Sequence, residues 1–158
     1  DATLFEFLLL ETFQAGLSWI TILRKRKNFR TAFDGFDYRK IAEYGPEKVA
    51  SLLEDPGIIR NRLKIHSSIT NARAFMEVQQ EYGSFIDYFW GFTGGKTIRN
   101  KLEDYRLGPA NTPLSDRISR DLKKRGFKFV GSTVVYAHKQ ATAMVNDHEI
   151  TCFRYREV

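Results

Sequence analysis

Apolar side chains recur at helical spacing along most of the chain. Leu4, Leu8, Glu11 and Ala15 stand at i, i+4, i+7 and i+11, one face of a helix predicted over about Thr3–Ala15, with Thr3 or Asp1 as its N-cap. Gly16 is a poor helix residue and predicts an end or a bend there. A second helix follows from Trp19 to about Phe33, with Ile22, Phe29 and Phe33 on its apolar face and basic residues opposite. Asp37 caps a short helix ending near Ala42, and Gly45-Pro46 breaks the chain before another over Glu47–Glu54. A tight connection through Asp55-Pro56-Gly57 leads into a long helix from about Asn61 to Tyr82, its core face marked by Ile65, Ile69, Ala72 and Phe75 or Met76.

Ser84–Phe92 reads as a short aromatic helix, and Thr93–Pro113 as a long polar connection. The next helix opens with Ser115 as N-cap and closes at Gly126. Phe127–Val130 is expected to be extended, and Ser132–Val145 to form the last helix. The pattern predicts an all-α fold, one domain over residues 1–158, with a helix-hairpin-helix element. The apolar run Phe7–Leu23, followed by Arg24-Lys25-Arg26-Lys27, imitates a membrane anchor. Glu11, Gln14, Gly16, Ser18 and Thr21 make it too polar, and it is short for a span, so no membrane partner is expected. A secretory signal is not expected either, because no basic stretch precedes the apolar run.

Composition adds three points. The 158 residues are 42% hydrophobic, which supports one real core. The net charge of +6 suits an acidic partner such as nucleic acid, although a mildly basic protein needs no such partner. One Cys excludes an internal disulfide and points to a reducing compartment.

Candidate chemistry begins with Glu11, the one charged residue between Phe7 and Leu23. A carboxylate in an apolar stripe costs stability unless it is paired or neutralised, and such groups concentrate at functional sites. On residue type alone, a structural glutamate bonded to a neighbouring helix explains it equally well. Gly16, Leu17 and Trp19 follow closely, and a carboxylate with a permissive backbone and an indole suits a flat, nitrogen-rich, electron-poor ligand. The hairpin from Gly57, with Arg60, Arg62 and Lys64 at the start of the next helix, has the makings of a phosphate clamp. An ordinary helical corner with basic residues on its solvated face has the same spacing. Lys123, Lys124, Arg125 and Lys128 either complement a helix dipole or touch phosphate. His148 and Cys152, four apart, suit half of a tetrahedral zinc site placed on one side of a helical turn. His66 and His138 are isolated and read as ordinary polar positions. No dinucleotide fingerprint, P-loop or serine nucleophile elbow is present.

Glu11-Thr12-Phe13-Gln14-Ala15-Gly16-Leu17-Ser18-Trp19-Ile20-Thr21-Ile22-Leu23 resembles the signature of the bacterial 3-methyladenine DNA glycosylase I family. Gly57-Ile58-Ile59-Arg60-Asn61-Arg62, the stretch Leu122–Gly131 and Val145-Asn146-Asp147-His148 resemble further blocks of that family, in its order. The resemblance implies an all-α member of the helix-hairpin-helix glycosylase superfamily that hydrolyses the N-glycosidic bond of 3-methyladenine in alkylated double-stranded DNA. By resemblance Glu11 binds the flipped base, Trp19 stacks on it, and Gly16 and Leu17 form a wedge at the gap. The element from Gly57 through Arg60 and Arg62 to Lys64 binds phosphate, and His148 and Cys152 are two ligands of a structural zinc.

The family also implies a bacterial cytoplasmic location, no catalytic cofactor and no obligate protein partner. This chain starts after a family segment that carries a further Cys, a further His and pocket aromatics. The expectation is therefore a domain incomplete at its N-terminus, a zinc half-site and impaired base excision if that segment is missing. An iron–sulfur lyase is excluded, because four Cys ligands are needed and one exists; nor does Phe7–Leu23 supply a nucleophilic Lys. A helix-hairpin-helix module that binds DNA without catalysis remains the alternative. A purely structural helical protein would leave Glu11 beside Gly16 and Trp19 unexplained.

Overall fold

Eight α-helices carry the chain in a computed structural model that describes residues 1–158. They are α1 (Ala2–Gln14), α2 (Trp19–Ala32), α3 (Tyr38–Ala42), α4 (Pro46–Glu54), α5 (Arg62–Tyr82), α6 (Phe85–Gly91), α7 (Pro113–Lys124) and α8 (Ser132–Ala141). The predicted all-α architecture is the observed one, with a single small exception. Ile98–Arg99 (β1) and Val145–Asn146 (β2) pair in parallel, Ile98 opposite Val145 and Arg99 opposite Asn146. No helix is long and apolar enough to cross a membrane.

The helix α1 is the axis of the molecule. Leu4, Phe5, Leu8, Leu9, Leu10 and Phe13 are all buried, so apolar residues cover it nearly all round, as in a helix enclosed by others. It packs against α2, α5 and α8. Phe13, Phe29 and Phe33 pack edge-on and stacked between α1 and α2. Phe5, Phe75 and Phe85 continue the aromatic core through α5 into α6. Glu6, also buried, is neutralised by Arg26 and Arg30 of α2 at 2.8 and 2.7 Å.

Several ends differ from expectation. Asp1 occupies the N-cap position of α1 without a side-chain cap bond there. Its carboxylate accepts from Phe85 N–H (2.8 Å) and Ile86 N–H (2.9 Å), closing the start of α6 and tying the first residue to it. Thr112, not Ser115, caps α7, and Ser115 completes a capping box from the third position. Pro113 takes the first turn, where its missing N–H is harmless. The last helix stops at Ala141, because Ala143 turns to a φ of +63° and Val145 enters the two-strand ladder. Phe127–Val130 bends at Lys128 and Phe129 instead of running extended, with Phe129 at a φ of +55°. Asn71 holds that bend by accepting from Lys128 N–H (2.7 Å) and donating to Lys128 O (3.1 Å).

Candidate functional site

Glu11 sits one turn before the end of α1 and is 3% exposed. Its Oε2 is buried with no hydrogen-bond partner. Burial pushes the carboxyl up from 4.5 to about 7. No cation neutralises it, in contrast to Glu6 one turn earlier. The helix then stops. Gly16 takes a φ of +80°, which a side chain would resist, and Leu17 N–H reaches back to Gln14 O at 2.6 Å. This turn re-aims the chain so that Trp19, the first residue of α2, lies beside Glu11. A pocket of about 370 Å³ opens between them, lined by Glu11, Gln14, Trp19, Ala137, Gln140 and Ala141. Glu11 and Trp19 are thus brought together. Gly16 and Leu17 are both exposed in the turn that joins α1 to α2.

Lys64 secures that turn from below. Its ammonium donates to Phe13 O (2.8 Å) and Ala15 O (2.6 Å), carbonyls at the end of α1. The residue is 6% exposed, and burial lowers its ammonium below the usual lysine value. This corrects the expectation that Lys64 meets phosphate: it is turned inward and occupied. Arg60 and Arg62 remain exposed, and neither forms an ion pair. The hairpin between α4 and α5 is fastened to α2. Lys25 Nζ donates to Pro56 O (3.1 Å) and Gly57 O (3.3 Å), and Asn28 Nδ2 donates to Gly57 O (3.2 Å). A Cβ at Gly57 would stand 3.1 Å from Asn28 Cβ and 2.9 Å from Asp55 Oδ1, so even a methyl group there forces these neighbours to shift.

His148 Nδ1 and Cys152 Sγ lie 3.9 Å apart. They meet across a turn after β2, not on a helix as the spacing suggested. Two tetrahedral zinc ligands of these types stand roughly 3.5 Å apart, from bonds of about 2.0 and 2.3 Å. The pair therefore fits half a site. No cluster of three or more His, Cys, Asp or Glu side chains forms around it.

Sequence reasoning missed the far wall of the pocket. Ala137, Gln140 and Ala141 come from α8 and join Glu11 only through the packing of α8 on α1. His138 was also misjudged. It is 1% exposed, both ring nitrogens lack partners, and burial drives the imidazole to about 3, so it is neutral and packs edge-on to Phe89. A larger concavity, about 560 Å³, lies elsewhere, between α4 and α5, along Tyr44, Val49, Leu53, Arg62, His66 and Arg73. None of its polar side chains is buried without a partner, and that is what sets Glu11 apart.

Comparison with known proteins identifies the family. The family model for methyladenine glycosylase matches residues 1–155. The DNA-3-methyladenine glycosylase 1 of Escherichia coli is 45% identical over 152 residues, covering 96% of this chain and 81% of that protein. A crystal structure of a 3-methyladenine DNA glycosylase I superposes with a TM-score of 0.92 at 47% identity, over 96% of this chain and 84% of that one. A Staphylococcus aureus 3-methyladenine DNA glycosylase I, solved to explain 3-methyladenine recognition, gives 0.94 at 31% identity, over 97% and 81% of the two chains. By sequence and by fold, this chain belongs to the methyladenine glycosylase family.

Proposed function

We propose that this protein excises 3-methyladenine from alkylated double-stranded DNA by hydrolysing the N-glycosidic bond, in the Glu11–Trp19 pocket. One observation carries the assignment of the site: a buried carboxylate without a partner, facing a pocket walled by an indole. Methylation at N3 gives the base in DNA a positive charge and makes it a good leaving group. The indole face attracts that cation, and the carboxylate favours it by charge and accepts its N–H groups. Unmodified adenine is neutral and gains less from both. Selectivity then arises from the pocket and does not require a strong acid.

The base must first leave the stack, which costs a few kcal/mol and is easiest for a weakened pair. Leu17, 41% exposed on its turn, fills the gap in this reading, and its exposure supports that role. The exposed Arg60 and Arg62 hold the backbone on a helix-hairpin-helix element made of α4, the hairpin and α5. His148 and Cys152 would hold a structural zinc together with two donors from outside the pair, and the metal would fix the chain around β2 without entering the reaction.

Methylated duplex DNA incubated with the protein tests this reading, with free bases separated by chromatography. The expected result is release of 3-methyladenine, no release of adenine and an unbroken DNA strand. A folded protein that binds the duplex and releases no base would instead be a non-catalytic DNA-binding module.

A further inference from the structure

We infer that Gln140 is a base-contacting residue that selects adenine-type over guanine-type alkylated bases, and that Asp147 sets this selectivity by fixing the Gln140 amide. This inference rests on the proposed excision of 3-methyladenine in the Glu11–Trp19 pocket.

Asp147 lies just after β2 and accepts three hydrogen bonds. Asn100 Nδ2 reaches Oδ1 at 2.6 Å, while Tyr136 Oη and Gln140 Nε2 both reach Oδ2 at 2.7 Å. A carboxylate only accepts, so the Gln140 group facing it must be the NH₂. The orientation of the amide is therefore dictated by chemistry. Its oxygen, the other end of the fork, has no partner in the protein, and Gln140 lines both the Glu11–Trp19 pocket and a neighbouring cavity that it shares with Asp147. Asn100 and Tyr136 hold Asp147 in turn, and Tyr136 is buried on α8.

With its NH₂ tied to Asp147, Gln140 has only its carbonyl left to offer the base, so on this inference the base meets two acceptors, the Glu11 carboxylate and the Gln140 carbonyl. An adenine-type base offers an exocyclic amino group, a donor with two hydrogens. A guanine-type base offers a carbonyl oxygen at the same ring position and meets an acceptor there. Leaving a polar group unpaired in a closed site is where hydrogen-bonding discrimination comes from. Asp147 acts through Gln140 and is a positioning residue. Without its negative charge the amide is free to turn and present NH₂ to the pocket.

The test measures release of 3-methyladenine and 3-methylguanine from one methylated duplex by the unmodified protein, Gln140→Leu and Asp147→Asn. Thermal unfolding confirms that each variant is folded. Gln140→Leu is expected to lower 3-methyladenine kcat/KM about tenfold, the loss of one hydrogen bond. Asp147→Asn is expected to lower the 3-methyladenine to 3-methylguanine ratio about tenfold or more, a change that simple loosening of the fold would not produce. Unchanged 3-methyladenine release by folded Gln140→Leu overturns the contact, and an unchanged ratio in folded Asp147→Asn overturns the positioning role. If the unmodified protein releases neither base, the proposed excision itself fails.

Discussion

Replacing Glu11 with Gln should stabilise the fold while removing the chemistry, and the stabilisation should depend on pH in a defined way. The carboxyl is 3% exposed, one oxygen has no partner, and its pKa is raised from 4.5 to about 7 by burial. The folded state therefore holds the Glu11 proton more tightly than the unfolded state does. The stability associated with that proton is complete below pH 4.5 and is lost as pH rises through 7. The gap between the two values corresponds to about 3 kcal/mol at 1.36 kcal/mol per pH unit.

Gln keeps the shape and carries no charge at any pH. At pH 4 the variant and the parent should unfold at the same urea concentration. At pH 8.5 the variant should be more stable by about 3 kcal/mol, a midpoint shift of about 1.5 M if m is near 2 kcal/mol/M. Thermal midpoints should separate by roughly 6–12 °C at that pH. Urea titrations followed by far-UV circular dichroism at five or six pH values are sufficient. A difference that does not vary with pH, or a variant less stable at pH 8.5, would show that Glu11 is held by partners and is not poised in an empty pocket.

Other consequences follow from the same geometry. If the ionised Glu11 receives the cationic base, kcat/KM should rise about tenfold per pH unit toward pH 7 and level off above it; a flat profile from pH 5.5 to 8.5 would contradict this. Lys64→Met removes two charge-assisted bonds to the end of α1 and should cost about 2–4 kcal/mol, read from chemical denaturation. Gly57→Ala forces a Cβ against Asn28 and Asp55 and should cost about 1–3 kcal/mol while weakening duplex binding in a fluorescence anisotropy titration. Arg62→Ala should lower duplex affinity and flatten its salt dependence by about one unit of log–log slope, with stability unchanged.

The local parts of the site were legible because they are written in consecutive residues. Glu11, Gly16 and Trp19 fall within nine positions, and the helix break at Gly16 that re-aims Trp19 has a direct chemical signal. Periodicity also placed most helices to within a residue or two, because burial of one face governs where they pack. What the sequence concealed depends on packing between distant segments. Gln140 joins the pocket of Glu11 only because α8 lies on α1. Lys64 looked like a phosphate ligand because its neighbours are basic, yet it shares the inward side of α5 with Ser67, Ser68 and Asn71, while the apolar Leu63 is 70% exposed. His138 gave no sign of burial, since α8 is covered on more than one side and an imidazole can sit neutral in an apolar setting.

Calorimetric titration of free 3-methyladenine into the protein, Glu11→Gln and Trp19→Ala tests most directly where the base is held. The expected result is one saturable site in the parent, binding weakened at least about tenfold in Glu11→Gln and lost in Trp19→Ala, in line with a charge-assisted contact and a stacking wall. Equal affinity in all three folded proteins would place the base outside this pocket and remove the basis for assigning the chemistry to Glu11.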